Sequence, residues 1–195
     1  MLEWHWIGIT FRLSLWFPAS VIVMLSLDHS GLTALCLLAS VAHEMGHFLT
    51  MLLLRDMPSS ITLGFFGMRV ERRPMQRLSY PALCAVSLSG PAVNVLCCVL
   101  LWYTDARDAA LIHGVLAAFH LLPVMSLDGG EALYELLCCR LSEERADRVL
   151  LVCSAVVLCP LTALGFWLLL SDGHNFTLLV VSGYLILRMF LREGH

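Results

Sequence analysis

His43-Glu44-Met45-Gly46-His47 places two imidazoles one helical turn apart, with a carboxylate between them. Residues i and i+4 of a helix share a face, so His43 and His47 can grip one metal ion from the same side. Glu44 then lies where it can take a proton from an attacking water and return it to a leaving amine. Together these groups suit metal-assisted hydrolysis of a peptide bond. The spacing arises by chance in many helices, and the setting decides between chemistry and packing. Here the pentapeptide sits inside an apolar stretch, residues 32–54, long enough to cross a bilayer. Ionisable groups are so costly in hydrocarbon that they usually mark function there; the competing reading is a polar trio hydrogen-bonded within a bundle.

A hydrolytic zinc takes three protein ligands and keeps a fourth position open. One Zn2+ per chain is therefore expected, and Asp128 in Leu127-Asp128-Gly129-Gly130 is the best-placed third ligand. Pro123 lacks an amide donor and breaks the preceding helix, and the glycine pair is expected to adopt backbone conformations closed to other residues. Irregular backbone at membrane depth persists where it is buried in protein or lines a wet cavity, so the break itself predicts water near Asp128. Read in isolation, Asp-Gly would be a plain turn.

The elements that must carry these groups follow from composition. An apolar share of 59% with only 14% charged residues and a mean hydropathy of +0.82 leave too much apolar surface for a water-soluble fold. The expected fold class is an all-α polytopic membrane protein with about six transmembrane helices. Their windows are 6–26, 32–54, 80–103, 107–125, 149–170 and 175–191. The first lacks the basic start and small-residue cleavage site of a signal peptide and is read as a retained helix, with Arg12 snorkelling or paired inside the bundle. Between helices two and three, Ile61, Leu63 and Phe65, then Met68 and Val70, alternate around Gly64 and Gly67, which predicts a small membrane-associated β-hairpin. Residues 130–148 are amphipathic and are expected to form an interfacial helix. The whole chain, 1–195, reads as a single membrane-embedded domain.

Every basic residue outside the histidines is arginine. Arg55, Arg69, Arg72, Arg73, Arg77, Arg140, Arg145, Arg148, Arg188 and Arg192 fall on one side of the expected spans, and the opposite loops contribute only Arg107. The positive-inside rule then places the arginine-rich loops, both termini and the opening of the site on the cytoplasmic side of a cell membrane. Topology accounts for these arginines, so no nucleic-acid partner is expected. The eight cysteines fall mostly inside the spans and contain no Cys-x-x-Cys, and they read as small packing residues.

His43-Glu44-Met45-Gly46-His47, Ser89-Gly90-Pro91-Ala92-Val93-Asn94, and Leu121-Leu122-Pro123 followed by Leu127-Asp128-Gly129-Gly130 stand in the order and spacing of one family. On these motifs the chain resembles the site-2 proteases, intramembrane zinc metalloproteases, and its short layout looks most like the branch containing stage IV sporulation protein FB. The resemblance covers roughly residues 30–140, which it implies to be the catalytic core. It implies a core of spans two to four, zinc held by His43, His47 and Asp128 with Glu44 catalytic, and a membrane-embedded or membrane-adjacent protein substrate. In that branch substrates include precursors of transcription factors, and inhibitory membrane partners are admitted. No stretch is left for a PDZ insert or a nucleotide-sensing domain. His120 stands where relatives usually carry an asparagine thought to meet substrate, and Glu131 stands where the sporulation branch commonly has arginine. These departures keep a catalytically inactive membrane-binding relative as an alternative, beside a small metal-ion transporter.

Gly90 and Pro91 read as a packing notch and kink in span three. Asn94 either bonds a neighbouring helix or points at bound peptide, His120 lines the site or packs, and His113 reads as a packing residue. A peptide bond must leave its helix to be attacked, so the strand-like stretch around Leu63 and Phe65 is a candidate edge for substrate to join as a further strand. Leu63→Pro or Phe65→Pro should lower cleavage of a membrane substrate and leave zinc content unchanged; undiminished cleavage counts against substrate binding at this stretch.

Overall fold

A computed structural model describes residues 2–6, 9–56, 58–64, 67–72, 78–172 and 176–193. Strands β1 (Leu2–Trp6) and β2 (Ile9–Leu13) precede helices α1 (Trp16–Leu27) and α2 (Leu32–Leu53). Strands β3 (Pro58–Gly64) and β4 (Gly67–Arg72) lead into α3 (Tyr80–Trp102) and α4 (Arg107–His120). The chain then runs through α5 (Asp128–Cys138), α6 (Glu143–Asp172) and α7 (Thr177–Glu193).

Three of these helices, α2, α3 and the stretch Glu143–Ser171 of α6, are long and apolar enough to cross a membrane; α1 and α7 are apolar but shorter. Helix α2 shows why they suit lipid. Ala39, His43, Gly46 and Met51 are buried along one stripe, while Leu38, Val41, Met45 and Leu49 project outward. The same holds for Val95, Leu96, Val99 and Leu100 of α3 and for Val152, Val156, Phe166 and Trp167 of α6. Outward apolar surface on this scale is stable in a bilayer, where the hydrogen-bonded helix satisfies its own backbone.

The expected helix over residues 6–26 is corrected by the structure. The hairpin β1–β2 occupies its first half, and the helix starts only at Trp16. Aromatic and β-branched residues dominate this stretch and favour a pleated surface. Trp4 stacks on Phe11 with ring centroids 5.5 Å apart, and Arg12 pairs with Glu3 at 3.0 Å across the hairpin instead of entering the bundle. The expected hairpin between α2 and α3 is present, but as half of a larger sheet of order β1-β2-β3-β4. Strands β2 and β3 run parallel, from Thr10 opposite Ser60 to Leu13 opposite Leu63. Leu63 therefore lies on an inner strand. Phe65 falls outside the described residues.

The expected interfacial helix over 130–148 is also divided. Helix α5 stops at Cys138, and Glu143, Glu144 and Asp147 belong to the first turns of α6. Its polar face is partly internal, because Glu135 is buried and accepts a 3.0 Å bond from Ser87 on α3. Helix α3 is the hub, packing against α2, α4 and α5.

Asp28 anchors the start of α2. Its Oδ1 accepts from the Ser30 amide at 2.8 Å and hydroxyl at 2.5 Å, and its Oδ2 accepts from the Thr33 amide at 2.6 Å. Gly31 turns the chain into the helix at φ 77°, a conformation that costs glycine little. The hydroxyl and amide donors of Ser30 and the amide of Thr33 hold the Asp28 carboxyl below the ordinary 3.8. A carboxyl lowered by folding contributes its full stabilisation above the unfolded value and loses it as the pH falls through the folded one. Melting temperature in detergent should therefore drop on acidification below about pH 4, and Asp28→Asn should make that acid limb shallower; an identical limb in the variant would show that the cap carries no linkage.

Candidate metal centre

Residues 43 and 47 lie in the second half of α2, where the helix approaches α3 closely. A Cβ built on Gly46 would stand 2.6 Å from the Ser89 carbonyl oxygen and 3.0 Å from the Gly90 Cα. A Cβ on Gly90 would collide with His47 Nε2 and stand 2.8 Å from His43 Nε2. Two missing side chains thus let the backbones touch and leave room for both rings. Pro91 follows, fully buried, and removes the amide that would have bonded the Ser87 carbonyl one turn back.

The rings are aimed by what stands behind them. His47 Nδ1 lies 2.8 Å from the Val86 carbonyl oxygen, which can only accept, so Nδ1 carries the proton and Nε2 presents a lone pair. His43, 3% exposed, has Nδ1 3.0 Å from Asn94 Nδ2. Asn94 is completely buried, and its Oδ1 lies 3.0 Å from Nδ1 of the buried His113 on α4. Asn94 therefore sits behind His43, and His113 is its partner on the next helix.

Asp128 arrives from an irregular segment. Helix α4 ends at His120, and residues 121–127 fold by short local bonds, among them Val124 N to Leu122 O at 2.7 Å and Leu127 N to Val124 O at 3.0 Å. Ser126 takes φ 82°, left-handed backbone that is costly for a residue with a side chain. Two anchors hold it. Val124 and Leu127 are buried with Leu158 of α6 and Leu185 of α7, and the Met125 amide donates at 2.8 Å to Ser154 Oγ of α6. The expectation for Gly129 and Gly130 changes in its reason. Neither has positive φ; a Cβ on Gly129 would meet the Leu121 carbonyl group, and one on Gly130 would meet Val124 O. The pair serves close packing of the start of α5 on the segment that precedes it.

The result is a convergence across 85 residues of sequence. Asp128 Oδ2 lies 2.9 Å from His43 Nε2, Asp128 Oδ1 lies 3.5 Å from His47 Nε2, and the two Nε2 atoms are 3.1 Å apart. One ligand atom from each residue falls within 4.8 Å of the others. Atoms bound about 2.1 Å from a tetrahedral zinc are about 3.4 Å from one another, so this donor set fits zinc in both chemistry and size. His120 Nδ1 lies 2.7 Å from Asp128 Oδ2, with its ring centroid 4.2 Å from that of His43. Glu44 is half-buried and within electrostatic reach of His47, His43, Asp128 and His120. The support from Val86, Ser154, His113 and the α6–α7 pair had no signature in the residue spacing.

The fold as a whole is similar to the site-2 protease from Methanocaldococcus jannaschii, with a TM-score of 0.64 over 97% of this chain and 94% of that one, at 17% identity. A provisionally named zinc metalloprotease of Synechocystis sp. is 34% identical over 115 residues, a match covering 52% of this chain. The chain spans 30% of the length of that curated relative. No protein-family profile matches the chain.

Gly90→Ala should push His47 and His43 off their common focus. The expected cost is about 1–3 kcal/mol of stability, together with loss of bound zinc by elemental analysis. Full zinc occupancy with unchanged melting would mean that α2 and α3 can separate without disturbing the site.

Proposed function

We propose that the chain is a zinc-dependent intramembrane endopeptidase of the site-2 protease family, nearest the sporulation protein FB branch. The carrying observation is the meeting of His43, His47 and Asp128 from two distant motifs at mutual distances of 2.9–3.5 Å. The fold likeness and the metalloprotease description of the Synechocystis relative support the same reading. In this reading a single domain, with its core at about residues 30–140, lies in a cell membrane through about six apolar segments. The arginine-rich loops, the termini and the site opening face the cytoplasm.

Zinc bound by His43, His47 and Asp128 would supply an activated water at neutral pH and polarise the scissile carbonyl. Glu44 accepts the proton of the attacking water and delivers it to the leaving amine. His120 steadies Asp128 through Oδ2 and, being 27% exposed at its side chain, also faces the space where a peptide would lie. Asn94 serves the site from behind His43. The substrate is a membrane-embedded or membrane-adjacent protein, unwound where it is cut. Strand β3 is flanked by β2 and β4, so the outer edge of β4 is where an unwound segment would add as a further strand. Inhibitory membrane partners would act by covering that approach.

Glu44→Gln should keep one zinc per chain and lower cleavage of single-span substrates by about 100-fold or more, read by mass spectrometry of products and by metal analysis. Asp128→Ala should lose the metal as well. Zinc flux into proteoliposomes without proteolysis would instead favour a transporter, and zinc binding with neither activity would favour an inactive relative.

A further inference from the structure

The amide of Asn94 bridges two imidazoles on different helices, with one end 3.0 Å from His43 Nδ1 and the other 3.0 Å from His113 Nδ1. All three groups are buried, and the amide itself is 0% exposed, so water cannot substitute for a mismatched partner. A neutral imidazole carries one proton, and whichever nitrogen binds a metal must be bare. To ligate through Nε2, His43 must hold its proton on Nδ1 and needs an acceptor there.

We infer that Asn94 is a positioning residue that sets the tautomer of His43, backed by His113, and so decides whether Nε2 of His43 is free for a divalent cation. The inference rests on the metalloprotease reading of the same site. As placed, the donor end of the amide faces His43, which puts the imidazole proton on Nε2, 2.9 Å from the Asp128 carboxylate that accepts it. That arrangement is internally satisfied without a cation. Rotating the amide by half a turn presents Oδ1 to His43 and Nδ2 to His113. The His43 proton then resides on Nδ1, and the His113 proton moves from Nδ1 to Nε2. Neither ring changes charge, every bond of the bridge is kept, and His43 Nε2 is bare. The Asn94 amide is the element that reverses, because half a turn exchanges its donor and acceptor in place, whereas turning either ring would put a carbon where Nδ1 stood. His47 needs no such device, since the Val86 carbonyl holds its proton on Nδ1 in either state.

Zinc affinity, measured by chelator competition on the purified full chain in detergent, tests this without reference to proteolysis. Asn94→Leu should weaken zinc binding about 10- to 100-fold. Asn94→Asp, which always offers an acceptor to His43 Nδ1–H, should bind at least as tightly as wild type. The metal-free proteins should rank oppositely, because the buried carboxylate of Asn94→Asp lowers the melting temperature more than leucine does. A purely structural role would make affinity follow stability. At the far end, His113→Gln should retain affinity and His113→Leu should lose part of it, a comparison that serves even if Asn94→Leu does not accumulate. Equal zinc affinity in wild type, Asn94→Leu and His113→Leu, or an Asn94→Asp protein as weak as Asn94→Leu, overturns the tautomer role while leaving the metal site standing. Wild-type protein that takes up no zinc overturns both readings.

Discussion

Contact between α2 and α3 at Gly46 and Gly90 sets the geometry on which the site depends. Each glycine abuts the opposite helix or its histidines too closely to admit a Cβ. In a bilayer, where lipid is as apolar as leucine, small residues of this kind supply the close approach that hydrophobicity cannot. Backbone contact then does chemical work: it brings the Val86 carbonyl to His47 and the Asn94 amide to His43, so that both rings are aimed from α3 rather than from their own helix. Ligands held by packed helices lose little freedom when a cation binds, which favours affinity.

Asp128, the third member of the cluster, obeys a different constraint. A helix running unbroken through Asp128 would have directed it by helical phase alone, whereas the segment 121–127 places it by a series of local bonds and one left-handed residue, Ser126. Such backbone is stable only if its apolar side chains are anchored. Val124 and Leu127 are anchored between α6 and α7, and Ser154 supplies the acceptor for the buried Met125 amide. Among the described residues the two C-terminal helices add nothing to the cluster. Their part is to hold the irregular segment that delivers Asp128.

Polar groups in this interior are linked in one chain, from His113 through Asn94 and His43 to Asp128 and on to His120. In a medium of low dielectric an unpaired member would cost far more than each bond returns, so the network specifies one arrangement of α2, α3, α4 and the start of α5. The departure at position 120 joins this network, its Nδ1 lying 2.7 Å from Asp128 Oδ2.

Residue order alone singled out His43, His47 and Asp128, which the fold brings together, because i, i+4 histidines on an apolar helix carry their geometry with them and because the aspartate follows a proline break. It also announced the β3–β4 hairpin through strict alternation, and, through length, the three long apolar helices α2, α3 and α6. It misread residues 6–13, where apolar aromatic residues suit a strand and a membrane helix alike and only pairing with β3 decides. It overextended the 130–148 helix, whose continuous amphipathic pattern concealed the stop at Cys138. The reason for Gly129 and Gly130, the place of Asn94 behind His43 and the clamp from α6 and α7 belong to tertiary structure. These depend on which atoms of distant segments come within about 3 Å of one another, and no periodicity within one segment encodes that distance.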